Sequence, residues 1–74
     1  MSKDIRELNK ETLDVVLWIA HDERFYTLSL DCKDYGEFVD LIHKRGRYHT
    51  PGGVLWTHPK VNTEEVNELN FNND

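Results

Sequence analysis

The sequence VVLWIA, residues 15–20, is the longest apolar run of the chain and the stretch that decides its fold. Two β-branched valines followed by a tryptophan and an isoleucine are typical of a buried strand, and we predict a strand here. The alternative is one long helix with apolar residues at near-heptad spacing, at Ile5, Leu8, Thr12, Val15 and Ile19. We prefer the strand because β-branched side chains are restricted in a helix and pack well on a sheet.

A second strand is predicted a few residues downstream, in the sequence RFYTLSL at residues 24–30. An extended chain would place Tyr26, Leu28 and Leu30 on one face. The residues between the two segments, 21–23, are polar. Two apolar segments separated in this way are typical of an antiparallel hairpin.

The clearest helix signal lies between residues 34 and 46. Asp34 is a suitable N-cap with Glu37 at the third helical position, and apolar residues recur downstream at helical spacing. The last turn is rich in cations, and Gly46 follows it, where glycine readily adopts the left-handed conformation that ends a helix. We predict a helix from about Tyr35 to Arg45.

Two short helices are predicted near the ends of the chain. The first begins after Ser2, a plausible N-cap, and ends near Lys10. The second is capped by Asn62, with Glu65 as its capping-box partner and Val61 packing back on the first turn.

Residues 50–53, Thr-Pro-Gly-Gly, predict a type II turn, because proline presets φ at the first central position and Gly52 accepts positive φ at the second. Residues 47–49 and 54–57 would then form a second pair of short strands or an extended ribbon. The predicted fold is α+β, with a small antiparallel sheet packed on one central helix and short terminal helices. Residues 1–69 form this single domain, and residues 70–74 a polar C-terminal tail.

Length and composition limit the class of protein. A chain of 74 residues, 38% hydrophobic and 31% charged, is sufficient for one small hydrophobic core. The single cysteine, Cys32, excludes an internal disulfide, which fits a cytoplasmic protein better than a secreted one. No apolar run is long enough to cross a bilayer, so no membrane partner is predicted.

No residue pattern indicates catalysis or a bound metal. A zinc site would have to combine widely spaced residues, without a close Cys or His pair: Cys32, His43, His49 and His58. A small hydrolase or metal protein is therefore our third hypothesis. We predict no catalytic residue, no metal and no cofactor.

Charge is distributed unevenly along the chain, whose net charge is −5. Four of the nine Lys and Arg residues lie between Leu41 and Thr63, where none of the 14 Asp and Glu residues occurs. An acidic face on a very small domain can occupy a basic cleft of a larger protein. Its candidate residues are Asp4, Glu7, Glu11, Asp14, Asp22 and Glu23.

Our first functional hypothesis is therefore a small acidic protein-binding module. It would be an inhibitor or adaptor of the kind that phages and other mobile elements carry. A short sheet has edges that can pair, so a homodimer is also considered.

The acid-free segment supports a second hypothesis, a regulatory nucleic-acid-binding protein. Cations and aromatic side chains alternate between residues 43 and 60, as on surfaces that bind single strands. The candidates are Lys44, Arg45, Arg47, Tyr48, Trp56 and Lys60. Trp56 is also the preferred anchor for a protein partner, whereas Trp18 is expected in the core. The net negative charge argues against this hypothesis, because it repels phosphates.

Overall fold

The computed structural model describes residues 7–71 as a small helical domain. Its helices are α1 Lys10–His21, α2 Glu23–Ser29, α3 Tyr35–Lys44 and α4 Thr63–Asn70. Within the described residues, β pairing is limited to one isolated antiparallel bridge between His49 and Leu55. The predicted α+β fold with an antiparallel sheet is therefore wrong.

Helix α1 contains the run that we predicted as a strand. Its buried residues, Thr12, Val15, Val16 and Ile19, recur at helical spacing, and Asn9 caps the helix by accepting a hydrogen bond from the Thr12 amide at 2.7 Å. A valine costs at most about 0.7 kcal/mol in helix propensity, whereas burying its side chain contributes about 1.5–3 kcal/mol. Burial on one face therefore outweighs the β-branched composition.

Helix α2 replaces the second predicted strand. Asp22 ends α1 and begins α2, where its Oδ1 accepts hydrogen bonds from the amides of Arg24 (2.9 Å) and Phe25 (3.4 Å). The polar break is thus a helix–helix corner and not a hairpin loop. Tyr26 and Leu30, two of the residues predicted to share one strand face, are 50% and 67% exposed.

Helix α3 confirms the predicted central helix, including both of its ends. Asp34 Oδ1 accepts from the Glu37 amide at 2.9 Å, while Glu37 Oε1 accepts from the Lys33 amide, one residue before the position expected in a capping box. At the other end, Gly46 has φ +78°. The Arg47 and Gly46 amides close the last turn on the carbonyls of residues 42 and 43, the pattern of a Schellman motif.

Helix α4 confirms the final predicted helix, and Asn62 caps it by accepting from the Glu65 amide at 3.1 Å. The domain extends beyond the predicted boundary at residue 69, because Asn70 is the last residue of α4 and Phe71 is buried. At the other end of the chain, residues 2–6 of the predicted N-terminal helix lie outside the described residues. Its predicted last residue, Lys10, is the first residue of α1.

The turn at residues 50–53 differs from the predicted type II turn. The Gly53 amide donates to the Thr50 carbonyl at 2.8 Å, but positive φ occurs at Gly53 (+94°) and not at Gly52. The Thr50 amide in turn donates to the Val54 carbonyl at 2.7 Å. A β-turn followed by a left-handed glycine is a common three-residue hairpin loop, and here it carries only the single bridge.

The core is built around aromatic rings from several elements. Trp56 is 0% exposed and packs edge-on against Phe25 and Phe38, with ring centroids 5.3 and 5.4 Å apart. The Tyr35 hydroxyl donates to the Trp56 carbonyl at 2.6 Å. Trp18, predicted as the core tryptophan, is only partly buried against this cluster. Trp56 is therefore the central tryptophan of the core, and Trp18 lies at its edge.

Candidate functional site

The predicted acidic residues are distributed before, along and after α1. Asp4 lies outside the described residues, Glu7 precedes α1, and Glu11 is in its first turn. Glu11 is the second residue of α1 and Glu23 follows the end of that helix, which rises about 15 Å from Glu11 to His21. The remaining two acids, described next, have contacts within the fold.

Asp14 and Asp22 each hold part of the fold together. Asp14 Oδ2 accepts a hydrogen bond from the Thr50 hydroxyl at 2.6 Å, which fastens the hairpin loop to α1. A Cβ atom at Gly52 would lie 2.9 Å from Asp14 Oδ1, so the loop approaches α1 closely. Asp22 caps α2, as described above. Both carboxylates therefore have structural roles in addition to any role in binding.

The predicted nucleic-acid residues separate into three groups. Lys44, Arg45, Arg47 and Tyr48 are exposed where α3 leads into the hairpin loop. Lys60 is exposed elsewhere, at the beginning of α1, where its carbonyl accepts from Asn9 Nδ2 at 2.7 Å. Trp56 is fully buried, so its indole ring is not available to stack on a base or to anchor a partner.

An arginine from α2 joins the exposed cations. Two adjoining depressions of about 350 and 430 Å³ share Arg24 and Arg47 in their walls. The smaller one also contains Tyr48 and His49, and the larger one Arg45. We call this surface the arginine groove, defined by Arg24, Arg45, Arg47, Tyr48 and His49. Arg24 was not among the predicted site residues, because a strand at residues 24–30 gave it no particular neighbour.

Arg24 is held in place by its neighbours on α2. Its Nε and Nη2 atoms donate to the Asp22 carboxylate at 3.3 and 3.2 Å, and its guanidinium carbon lies 5.6 Å from the centre of the Phe25 ring. The hydrogen bond from Arg24 holds the pKa of Asp22 below its usual value, and Asp22 raises the pKa of Arg24. The guanidinium, whose side chain is 64% exposed, is thus paired with Asp22 on one edge.

Tyr48 and His49 are positioned by the hairpin loop. The Trp56 amide donates to the Tyr48 carbonyl at 3.2 Å, next to the bridge between His49 and Leu55. The Tyr48 ring packs on His43 with a centroid distance of 5.1 Å, yet the residue is 56% exposed. The buried Trp56 thus fixes the backbone from which the exposed tyrosine projects.

The two depressions differ in the side chains that line them. Among the described residues that line the smaller one, none is acidic. The larger one contains Glu23 and has Phe25 and Leu28 in its walls. The smaller depression has two arginines in its walls and the larger one three, but among the described residues only the larger one also contains an acid, and Asp22 pairs with Arg24, which lines both.

A third concave region, of about 480 Å³, lies between α3 and α4. Asp34, Asp40 and His58 line it, and His58 Nδ1 already accepts a hydrogen bond from the Lys60 amide at 3.0 Å. Nowhere in residues 7–71 do three or more His, Cys, Asp or Glu side chains form a group that could hold a metal. Cys32 is buried, and burial raises the pKa of its thiol.

Comparisons with known proteins leave the chain without a matching relative: no family model, no curated protein and no solved structure matches it. Across the described residues, every helix is too short or too polar to cross a membrane.

Proposed function

We propose that this chain is a protein-binding module that acts without turnover, and that the arginine groove holds its partner. The proposal depends on one observation: Arg24 of α2 lines the same groove as three residues from the end of α3 and the hairpin loop. These are Arg45, Arg47 and Tyr48. Arginine and tyrosine are the side chains most often responsible for binding energy at the centre of an interface. The proposal therefore keeps the predicted function but moves it from the acidic face to the groove.

The rigidity of the groove supports this proposal. Arg24 is hydrogen-bonded to Asp22, and Tyr48 projects from a hairpin loop tied to the core and to α1. A side chain that is already ordered loses less conformational entropy on binding, which increases affinity without adding contacts. Acidic segments of a partner are the complementary surface, because the groove presents three guanidinium groups.

Nucleic-acid binding is the second candidate function, and exposed Tyr48 beside Arg47 favours it. A base can stack on a tyrosine ring while an arginine contacts the adjacent phosphate. The net charge of −5 opposes it, because a nucleic acid brings many closely spaced negative charges to the molecule. Trp56 is buried in the core, so of the two predicted aromatic residues only Tyr48 is available to stack on a base.

The test is affinity capture with two matched double variants as bait. Arg45→Gln with Arg47→Gln removes two charges from the groove, whereas Lys10→Gln with Lys60→Gln removes two exposed charges at the start of α1. Both variants have the same net charge, so any difference in the protein that they capture reflects the position of the removed charges. Each bait is incubated with cytoplasmic lysate, with and without nuclease and at two salt concentrations.

The proposal predicts a stoichiometric protein that is retained by the wild type and by the lysine variant and lost from the arginine variant, whether or not nuclease is present. Equal retention by the two variants would contradict the role of the groove. Capture that disappears with nuclease would transfer the function to the second candidate. The cytoplasmic location and the inhibitor or adaptor role remain predictions, supported by the free cysteine and by the size and charge of the chain.

The sheet edges that motivated a homodimer are missing from residues 7–71, so that argument no longer applies. The oligomeric state of the module is an independent question for light scattering.

A further inference from the structure

We infer that the arginine groove recognises a phosphorylated segment of its protein partner, with the phosphoryl group in the smaller depression and an adjacent apolar side chain in the larger one. This inference rests on the proposed function and specifies the chemistry of the partner. It follows from the side chains that line the two depressions: among the described residues, the smaller one has two arginines and no acid, and the larger one has Glu23 and an apolar wall beside its three arginines.

The smaller depression suits a dianion. Arg24 and Arg47 both line it, and none of its described lining residues is acidic. A phosphoryl group carries a charge of about −1.5 to −2 at neutral pH and has three acceptor oxygens, whereas a carboxylate carries a single charge. Arg47, together with Arg24, whose charge Asp22 offsets in part, therefore complements a phosphoryl group better than one carboxylate side chain.

Arg24 keeps donors available for such a ligand. A guanidinium has five N–H donors, and Asp22 accepts from its Nε and Nη2. In the part of the chain that the structure describes, the Nη1 donors have no recorded acceptor. The bond to Asp22 therefore orients Arg24 while its outer edge can still contact an anion.

The larger depression favours an apolar side chain next to the phosphorylated residue. Phe25 and Leu28 give it an apolar wall, and Glu23 would repel a second acidic group. Because the depressions adjoin through Arg24 and Arg47, an extended segment could fill both with residues that are close in sequence. The preferred segment therefore has one phosphorylated residue flanked by an apolar residue, and not a run of acids.

The same features distinguish this ligand from a nucleic acid. A single phosphoryl group meets the local positive charge of the groove, while a polyphosphate backbone must also lie near the acids on the rest of the surface. Each additional phosphate would be repelled by the net charge of −5 of the chain. A single-stranded oligonucleotide is accordingly the competing ligand in the test.

The test uses fluorescent peptide mixtures and the intact chain. In one mixture the central residue is phosphoserine, phosphothreonine or phosphotyrosine, and the flanking residues are either apolar or acidic. Two control mixtures have the same flanks around an unphosphorylated residue or a glutamate, and a single-stranded oligonucleotide is the third control. Binding is measured by anisotropy for wild type, Arg47→Gln and Lys60→Gln, and amide spectra confirm that each variant is folded.

We expect phosphorylated peptides with apolar flanks to bind best, Arg47→Gln to weaken them about tenfold to a hundredfold, and Lys60→Gln to leave them unchanged. Equal binding of the glutamate peptides, or no binding of any phosphopeptide, would overturn the inference. The proposed function would survive either result if the captured protein still depended on Arg45 and Arg47. An oligonucleotide that binds more tightly than every peptide would overturn both proposals.

Discussion

Tyr35 connects α3 to the loop that carries the groove. Its hydroxyl donates to the buried carbonyl of Trp56 at 2.6 Å, and the Trp56 amide fixes the backbone at Tyr48. Burial raises the pKa of Tyr35, so the hydroxyl stays protonated and remains a donor well into the alkaline range. A single residue of the core thereby helps to position an exposed side chain of the groove.

Tyr35→Phe removes this hydroxyl and leaves the Trp56 carbonyl without its donor. We expect a loss of about 1–3 kcal/mol in the free energy of unfolding, because a buried unpaired carbonyl retains its desolvation cost. Tyr48→Phe is the matched control, since that tyrosine is 56% exposed and its loss should cost under about 0.5 kcal/mol. Urea denaturation measures both, and equal effects would contradict the assigned hydrogen bond.

The residue scale also shows what the sequence could not predict at the site. Arg45, Arg47 and Tyr48 were predicted because they are neighbours in an acid-free segment. Arg24 was missed because it reaches the site only when residues 23–29 form a helix at the Asp22 corner. Trp56 was predicted as an exposed anchor because a tryptophan beside a turn can face either solvent or the core. Its ring contacts with Phe25 and Phe38 show that it faces the core.

The helix ends provide the most direct tests at the scale of single elements. Gly46 has φ +78° at the end of α3, while Gly36 is an exposed glycine within the same helix. Gly46→Ala should destabilise the fold by about 1 kcal/mol or more, since a Cβ is unfavourable in the left-handed region. Gly36→Ala should stabilise it by about 0.5–1 kcal/mol through helix propensity. Thermal unfolding that shifts in the same direction for both variants would contradict the assigned end of α3.

Helix α2 should respond to acid through its cap. The pKa of Asp22 is lowered in the folded chain, first by the side chain of Arg24 and then by the capped amides. Its stabilising contribution is therefore present above its usual pKa of 3.8 and is lost as pH falls through the lower folded value. The protection factor of the Phe25 amide, which is the exchange rate of an unstructured amide at the same pH divided by its own, should fall in that range. Asp22→Asn should flatten this dependence while still capping the helix, and an identical acid response in the variant would refute the account.

Of the four helices that the described residues form, α3 and α4 were predicted correctly from local sequence patterns, and the other two were predicted as strands. Helices α3 and α4 were predicted because local caps, Asp34 and Asn62, mark their starts. The run at residues 15–19 was misread because a short apolar segment fits both a strand and a helix, and its period shows only when the flanking residues are assigned. The buried Thr12 was part of the long-helix alternative that we set aside. Burial of one face of α1 in the tertiary structure favours the helix over the strand, and a local sequence pattern does not contain this information.

At the scale of the whole molecule, a net charge of −5 surrounds a small cationic groove. This separation should make partner binding sensitive to salt, because added ions screen the contacts of the groove. We expect the affinity for the captured partner to fall as salt rises in the wild type and to depend less on salt in Arg45→Gln with Arg47→Gln. A salt dependence that is unaltered in the arginine variant would place the charged contacts elsewhere.

The most direct test of the central claim is photo-cross-linking in cells with a benzophenone amino acid at one position at a time. The positions are Tyr48 in the arginine groove, Ala20 on the exposed side of α1, and Thr57 in the third concave region. The account predicts one discrete protein adduct from position 48, resistant to nuclease, and none from positions 20 or 57. An adduct from position 20 or 57 but not from position 48 would show that the partner lies on another surface and would contradict the account.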